Sequence, residues 1–270
     1  MSFQSGNTNA ETVLHFPGGP RAAAAAPSTA KSLLPVLIVL HQETSSPGRI
    51  GNALRALGHN LDIRRPRFGD SLPETLDGYA GAVIFGGPMS ANDPDDFVRQ
   101  EIDWIAVPLR EQRPFLGICL GAQMLAMQLG ARVAPHPEGR AQIGYYPIRP
   151  TPAGLKICPN WPDHVYHWHR EGFELPSGAE LLAEGSDFPV EAFRFDHAFG
   201  VQFHPDVTYA MMHRWTTRGH ARLELPGAHP RHHHFADRAV HDVTERAWLK
   251  QFIDGWLARV PLPVMSEAAE

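Results

Sequence analysis

Short apolar runs alternate with helical stretches through the first half of the chain. The apolar runs cover residues 33–41, 60–63, 79–88 and 115–118, and the helical stretches cover residues 48–57, 95–112 and 120–129. Strands that are apolar throughout are buried on both faces, which is typical of a parallel sheet covered by helices. Ligands of such sheets gather at the carboxyl ends of the strands, so we expect the functional residues there.

The second half of the chain has a different pattern, with shorter extended pieces after Arg132. These pieces cover residues 142–150, 179–185, 190–195 and 198–206, and they predict an antiparallel β extension. A closing helix over 241–260 carries apolar residues at helical spacing, namely Val243, Trp248, Phe252 and Trp256, and is therefore predicted to pack this face back onto the sheet. The chain is therefore predicted to have an α/β fold: a flavodoxin-like, mostly parallel sheet with helices on both faces and a small antiparallel extension.

Length and composition favour one domain. With 270 residues and 43% hydrophobic content, the chain can bury a full core, which we place at residues 35–260. Residues 1–34, rich in Gly, Ala and Pro, and residues 261–270 are predicted to be tails. The net charge of -5 and the lack of a long apolar run argue against nucleic-acid or membrane partners. Two cysteines and no secretion signal favour the cytoplasm.

Cys119 lies in the stretch "GICLGAQ", between the predicted strand at 115–118 and the helix that begins at Leu120. A GxCxG turn between strand and helix is the thiol counterpart of the GxSxG nucleophile elbow. The N–H groups at the start of the helix would favour a thiolate and could hold an oxyanion. The alternative is a buried structural cysteine beside glycines that allow close packing. Cys158 has no such setting and is expected to be inert.

His204 and Asp206, in "VQFHPD", follow the extended piece that begins at residue 198. A thiolate needs a general base, and the partners of a nucleophile in an α/β domain come from other strand ends on the same edge. The carboxylate of Asp206 could orient the imidazole. The alternative is that His204 is a surface residue, as we expect for most of the 16 histidines.

Gly86 and Gly87, in "FGGPMS", follow the predicted strand at 79–88. Two glycines at a strand end let the backbone approach a ligand closely, and one N–H there could complete an oxyanion hole. An ordinary turn is the alternative if this stretch is considered alone.

Together, "FGGPMS", "GICLGAQ" and "VQFHPD" resemble the class I glutamine amidotransferase domain in order and spacing, over about residues 35–258. The resemblance implies a Cys-His-acid triad that attacks the side-chain amide of glutamine, forms a γ-glutamyl thioester and releases ammonia. It implies that Cys119 is the nucleophile, His204 the base and Asp206 the third member. The substrate would be a small molecule, glutamine or another γ-glutamyl compound, and no cofactor is expected.

The same resemblance assigns residues around the substrate. The backbone N–H groups of Gly87 and Leu120 would form the oxyanion hole, whereas Gly86 and Gln123 would contact the glutamine.

A further segment, "YHWHREGFELP" at 166–176, is similar to the "HWHxDxFxLP" segment of stand-alone members that resemble the amidotransferase half of GMP synthetase. In that subgroup the segment flanks the substrate pocket. The resemblance places His169 and Glu171 near the amino-acid end of the ligand. Alternatively, these two residues pair with each other on a loop.

The chain departs from the family pattern at two positions. Asp206 stands where most members have Glu, and Gln142 stands where Glu usually precedes "IG". The aspartate is shorter by one methylene, so it must approach the imidazole differently or act through water. Neither departure removes the nucleophile or the oxyanion hole, which retain much of the catalytic power.

The cluster "HPRHHHF" at 229–235 could suggest a metal site. Three consecutive histidines cannot all face one ion in regular structure, and no carboxylate or thiol joins them at a ligand-like spacing. We therefore predict a solvated loop and no metal.

Three functions are compatible with these motifs. The first is a glutaminase that releases ammonia for an acceptor on a partner; it requires a separate synthetase, because no P-loop or ATP-pyrophosphatase signature is present. The second is a stand-alone hydrolase of γ-glutamyl amides or peptides. The third is a catalytically silent binding module, against which the intact Cys119, His204 and oxyanion-hole motif argue.

Overall fold

The structure is a computed structural model that describes residues 33–258. Its first half contains β1 (Val36–Val39), α1 (Gly48–Ala56), β2 (Leu61–Arg64), β3 (Gly81–Ile84), α2 (Asp96–Trp104), α3 (Ala106–Arg110), β4 (Phe115–Ile118) and α4 (Leu120–Gln128). Its second half contains β5 (Val133–Pro135), β6 (Gln142–Pro147), β7 (Arg149–Pro150), α5 (Pro152–Ile157), β8 (His164–His169), β9 (Glu171–Phe173), β10 (Glu180–Glu184), β11 (Ala192–Phe195), β12 (Ala198–Val201), α6 (Tyr209–Arg218) and α7 (Arg231–Ala258). Short 3-10 helices cover Pro66–Phe68 and His220–Glu224.

An eight-stranded sheet in the order β2-β1-β3-β4-β12-β11-β10-β7 forms the centre of the fold. The first five strands run parallel, whereas β11, β10 and β7 add to the edge in antiparallel fashion. Two antiparallel pairs, β5 with β9 and β6 with β8, lie outside this sheet. The predicted α/β fold with an antiparallel extension is confirmed.

The continuous apolar character of the central strands follows from burial on both faces. In β1, Val36 and Ile38 belong to one core, whereas Leu37 and Val39 belong to the other. The first core packs against α1 and α7, and the second packs against α2 and α4. Side chains of successive strand residues point to opposite faces, so both alternating sets must be apolar.

The predicted helix over 95–112 is in fact two helices, α2 and α3, that meet at Ile105. Pro108 explains the break. A proline inside a helix lacks the N–H donor, and its ring clashes with the carbonyl group four residues earlier, here that of Trp104. The regular helix therefore ends at Trp104 and a short second helix continues from Ala106.

The extended piece predicted at 142–150 is also divided, at Ile148. On one side β6 pairs with β8, and on the other β7 joins the edge of the main sheet beside β10. One stretch of sequence thus links the small β6–β8 pair to the central sheet.

The closing helix is longer than predicted and differs in its buried face. It begins at Arg231, and Val243 is 70% exposed, so the prediction that Val243 packs in the core is wrong. Asp242 and Glu245 are buried instead, because Arg49 of α1 lies against both carboxylates. Trp248, Phe252 and Trp256 pack on the sheet as predicted.

The prediction of a solvated loop at 229–235 is wrong. His232, His233 and His234 lie in the first turn of α7, and His234 is fully buried. Its Nδ1 lies 2.9 Å from Tyr166 Oη, and its Nε2 lies 3.0 Å from the His229 carbonyl oxygen. The buried histidine therefore attaches the start of α7 to β8.

Within residues 33–258, no helix combines the length and apolar character needed to cross a bilayer. Residues 1–32 and 261–270 of the predicted tails lie outside the described residues.

Candidate active site

Cys119 occupies a sharp turn between β4 and α4. Its φ of 51° and ψ of -105° are strained for a residue with a side chain. The flanking glycines make the turn sterically feasible: a Cβ on Gly117 would lie 2.4 Å from the Gly121 carbonyl oxygen, and one on Gly121 would lie 2.1 Å from the Ile84 carbonyl oxygen. The turn presents a 5% exposed thiol at the carboxyl edge of the sheet.

His204 reaches the same edge three residues beyond β12. Its backbone N–H donates to the Tyr166 carbonyl oxygen at 2.7 Å, and its Nδ1 lies 3.1 Å from Asp206 Oδ1. Both side chains are buried. The shorter carboxylate of Asp206 therefore contacts the imidazole directly, without an intervening water.

Gly86 shows how closely the three motifs approach one another. A Cβ at this position would lie 2.5 Å from His204 Cε1 and 3.3 Å from Cys119 Cβ. Only glycine leaves room for the imidazole beside the thiol. The strand ends of β3, β4 and β12, which are adjacent in the sheet, thus bring all three motifs together.

Electrostatics favour a protonated imidazole. Burial lowers the pKa of His204, but the negative charges of Cys119 and Asp206 and the hydrogen bonds to both outweigh it and raise the pKa to about 10. An imidazolium next to the thiol stabilises a thiolate, which is the nucleophilic form of cysteine.

Gly87 and Leu120 lie against each other beside the thiol. A Cβ on Gly87 would be 3.0 Å from Leu120 Cδ2. Leu120 is the first residue of α4, so its N–H has no acceptor within the helix. The two residues predicted to supply the oxyanion donors are therefore neighbours, and both line one cavity.

His41 and Glu101 support this loop and were not singled out in the sequence. Both are fully buried; His41 Nδ1 lies 3.2 Å from the Gly86 carbonyl oxygen, and Nε2 lies 2.7 Å from Glu101 Oε2. The Gly86 carbonyl and the Gly87 N–H belong to one planar peptide unit. His41 therefore restrains the direction in which the Gly87 N–H points.

A small cavity of about 40 Å³ adjoins the thiol, and we call it the Cys119 cavity. Its walls include Cys119, Gln123, His169 and Glu171, so the predicted substrate residues do meet the candidate nucleophile. Gln123 Nε2 donates to the Glu171 carbonyl oxygen at 2.9 Å and to Gln202 Oε1 at 3.2 Å.

His169 and Glu171 do not pair through their side chains on a loop, as the alternative proposed. They lie at the adjoining ends of β8 and β9, and His169 Nδ1 lies 3.0 Å from the Glu171 carbonyl oxygen. His169 Nε2 lies 3.0 Å from His167 Nδ1. Burial lowers the pKa of His169 to about 3, so its ring is neutral at physiological pH. Gln142 lies opposite His169 in the β6–β8 pair.

Residues at the start of α1 contact the turn that contains Asp206. The Arg49 N–H donates to the Asp206 carbonyl oxygen at 2.9 Å. Gly48 has a φ of 49°, and a Cβ there would lie 2.0 Å from the same oxygen.

Glu245 of α7 contacts the strand that precedes this region, because its side chain accepts from the Tyr166 N–H at 3.3 Å. Burial raises the pKa of Glu245 to about 8, although the Tyr166 N–H and Arg49 oppose the shift.

A larger cavity of about 290 Å³ adjoins His204, and we call it the His204 cavity; it shares Gly87, Pro88, Trp168 and Arg222 with the Cys119 cavity. It is lined by His204, Gly86, Trp168, Trp215 and a set of arginines, Arg214, Arg218 and Arg222. Sequence analysis did not single out these arginines.

One group of potential metal ligands is present among residues 33–258. The ligand atoms of Asp163, His164 and His241 lie within 4.8 Å of one another. None of the three lines either cavity beside Cys119.

Comparisons with known proteins identify the family of the chain. Residues 42–216 match the family described as glutamine amidotransferase class-I. The chain is 30% identical to the glutamine amidotransferase-like protein YfeJ of Salmonella typhimurium, over 79% of this chain and 90% of YfeJ. It is 33% identical to the glutamine-hydrolyzing GMP synthase of Thermomicrobium roseum, over 62% of this chain but only 31% of that protein.

A solved structure shares the fold. The glutamine amidotransferase of Methylobacillus flagellatus superposes with a TM-score of 0.81 at 24% identity, and the match covers 88% of this chain and all of that one (100%).

Proposed function

Because the chain belongs to the class I glutamine amidotransferase family, we propose that it cleaves the side-chain amide of glutamine, or of a related γ-glutamyl compound, through a cysteine thioester. The observation that carries the proposal is the direct contact of His204 with Asp206 beside the strained turn of Cys119. Strain in a backbone persists only where the surrounding structure enforces it, and such positions cluster at active sites.

In the first half of the proposed reaction, the Cys119 thiolate attacks the amide carbon. The carbonyl oxygen becomes an oxyanion, and the N–H groups of Gly87 and Leu120 stabilise it. The His204 imidazolium gives its proton to the amide nitrogen, the C–N bond breaks, and ammonia or an amine leaves. The γ-glutamyl group remains on Cys119 as a thioester.

In the second half, water attacks the thioester carbon. The neutral His204 takes a proton from the water, and the same N–H groups hold the second oxyanion. The C–S bond then breaks, glutamate leaves, and the thiolate–imidazolium pair is restored. Asp206 keeps Nδ1 protonated, so that Nε2 is the nitrogen that exchanges the proton.

The fate of the released ammonia distinguishes two functions. In the first, ammonia passes to an acceptor on a separate synthetase partner. The match to part of a GMP synthase supports such a partner, since the matched segment is 31% of that protein. In the second, the chain hydrolyses γ-glutamyl amides unaided. The His204 cavity bears on this choice, because it adjoins the imidazole that protonates the leaving group.

The thioester is tested by assaying glutamine and γ-glutamyl amides for released ammonia or amine, with mass spectrometry of protein treated with a glutamine-like chloroketone. We expect turnover that is lost in Cys119→Ala, and chloroketone attached to Cys119 only. Cys158→Ala is the matched control, because Cys158 is 1% exposed and its Sγ lies 3.2 Å from Gln251 Oε1. Equal labelling of the two cysteines, or unchanged turnover in Cys119→Ala, would reject the proposal.

A further inference from the structure

Three arginines, Arg214, Arg218 and Arg222, line the His204 cavity. Arg214 and Arg218 are four residues apart in α6 and so share a helix face, and Arg222 follows in the 3-10 helix at His220–Glu224. All three line the same space as His204. The other lining residues include the neutral polar Gln42, Thr44 and Ser45 from the loop after β1.

No carboxylate neutralises these arginines within the part of the chain that the structure describes. None of the three is within 4.0 Å of an Asp or Glu oxygen, and no acidic residue lines the cavity. The protein as a whole has a net charge of -5. The positive charges of the three arginines repel one another, and an anion that enters the cavity relieves that repulsion.

The position of the cavity relates it to the leaving group. His204 delivers its proton to the departing nitrogen, so the amine part of a substrate lies on the imidazole side. Trp215, between Arg214 and Arg218 in sequence, packs edge-on against His204 with ring centroids 4.9 Å apart. The γ-glutamyl carbon that bonds to Cys119 belongs on the side of that thiol.

The size of the cavity exceeds what ammonia requires. Ammonia is about as large as water, which takes up about 30 Å³ in the liquid. The His204 cavity is about 290 Å³. Guanidinium groups bind carboxylates and phosphates through paired N–H donors, whereas ammonia has neither a negative charge nor two acceptor atoms for such a pair, and ammonium is repelled.

We propose that the His204 cavity binds an anionic group, a carboxylate or a phosphate, on the amine part of a γ-glutamyl amide, with Arg214, Arg218 and Arg222 as its ligands. The proposal rests on the thioester chemistry proposed above, and it favours a hydrolase that acts without a synthetase. The substrate class is then the γ-glutamyl amides of acidic amines, and the products are glutamate and the acidic amine.

The test compares γ-glutamyl amides that differ only in the terminal group of the amine. γ-Glutamylglycine carries a carboxylate, γ-glutamylglycinamide is its neutral counterpart, and γ-glutamyl-aminomethylphosphonate carries a phosphonate in place of a phosphate. Glutamine is included as the amide of ammonia. We expect kcat/KM for at least one anionic substrate to exceed that for the glycinamide by on the order of tenfold, mainly through KM. The ratio of kcat/KM between the carboxylate substrate and the phosphonate substrate shows which of the two anionic groups the cavity prefers.

Substitution of the arginines tests whether they cause the preference for anionic substrates. Arg214→Gln and Arg218→Gln should each reduce the anionic-to-neutral ratio about fivefold or more, and added salt should reduce it in the wild type. Arg246→Gln is the matched control, because Arg246 is an exposed arginine of α7 that does not line the cavity. It should leave the ratio unchanged.

The outcomes separate the two proposals. Cleavage of all amides without an anionic preference, or a preference that survives both variants, would overturn the arginine site and retain the thioester chemistry. Glutamine hydrolysis that is stimulated only by an added synthetase, with the γ-glutamyl amides uncleaved, would also overturn the arginine site. Failure to cleave any substrate, with no labelling of Cys119, would overturn both.

Discussion

His41 Nδ1 lies 3.2 Å from the carbonyl oxygen of Gly86, in the peptide unit that also carries the Gly87 N–H. Because a carbonyl oxygen only accepts, Nδ1 must be the donor. Loss of this bond frees the peptide to turn its N–H away from the oxyanion. We predict that His41→Ala lowers kcat about tenfold or more with little change in KM, since one oxyanion donor contributes 10²–10³ in kcat.

The conservative variant separates positioning from folding. His41→Asn places an amide N–H near the former Nδ1 and should recover part of the lost kcat. Circular dichroism establishes that both variants fold, and His59→Ala, which alters a histidine at the far end of α1, serves as control. If His41→Asn and His41→Ala have equal kcat, the bond to Gly86 has no positioning role.

We predict that the aspartate side chain at position 206 has the length that its turn requires for contact with His204. It is 3% exposed and already in contact with His204, while Gly48 and Arg49 hold its backbone. An added methylene has no free space, so Asp206→Glu should lower kcat. Asp206→Asn should also lower kcat, but less than Cys119→Ala, because His204 still accepts a proton when correctly oriented. Full turnover in both Asp206→Asn and Asp206→Ala would show that another group orients the imidazole.

The raised pKa of His204 predicts an unusual pH dependence of thiol alkylation. A base whose pKa is raised to about 10 keeps its proton below that pH, so the imidazolium is present throughout the neutral range. The imidazolium beside Cys119 should therefore keep the iodoacetamide reaction of that thiol fast at pH 6.5. Catalysis should decline as the pH approaches 10, because His204 then lacks the proton for the leaving group.

His204→Gln is the informative comparison for that experiment. Without the imidazolium, the alkylation rate at pH 6.5 should be about tenfold or more below that of the wild type. Equal alkylation rates of the two proteins at pH 6.5 would contradict the thiolate–imidazolium pair.

Glu245 predicts a pH dependence of stability. Burial raises its pKa to about 8 in the folded protein, so the folded state holds a proton that the unfolded state loses above about pH 4.3. The contribution of Glu245 is thus present at low pH and is lost as the pH rises through about 8. Glu245→Gln should gain at least about 1 kcal/mol in free energy of unfolding relative to wild type between pH 5 and pH 8.5.

Urea unfolding at the two pH values measures this difference. Glu138→Gln, at an exposed glutamate, is the control and should show no such gain. A gain for Glu245→Gln that is the same at both pH values would mean that Glu245 is ionised throughout.

Much of the fold was predictable because the central strands are buried on both faces and are therefore apolar throughout. The prediction placed β4 at its observed bounds, and the glycines around Cys119 located the turn that follows it. The three motifs were also informative, since each lies at a strand end and the sheet order brings these ends together.

The residues that sequence analysis missed have no local pattern. His41 and Glu101 are 60 positions apart and meet only through packing of α2 against the sheet. The arginines of the His204 cavity follow a helical spacing only for Arg214 and Arg218, and their relation to His204 depends on how α6 packs. Val243 was wrongly placed in the core because helical spacing alone does not reveal that Arg49 pairs with Asp242 and Glu245, which therefore occupy the buried face.

The parallel pairing of β4 with β12 has a consequence for folding kinetics. Phe115 is in register with Ala198, so the two strands that precede Cys119 and His204 pair across a large separation in sequence. Contacts of such large sequence separation form late and slow the folding of a domain. Recovery of amide cleavage during refolding should therefore lag behind the recovery of helical circular dichroism, and the enzyme's own activity would report the final step of its folding.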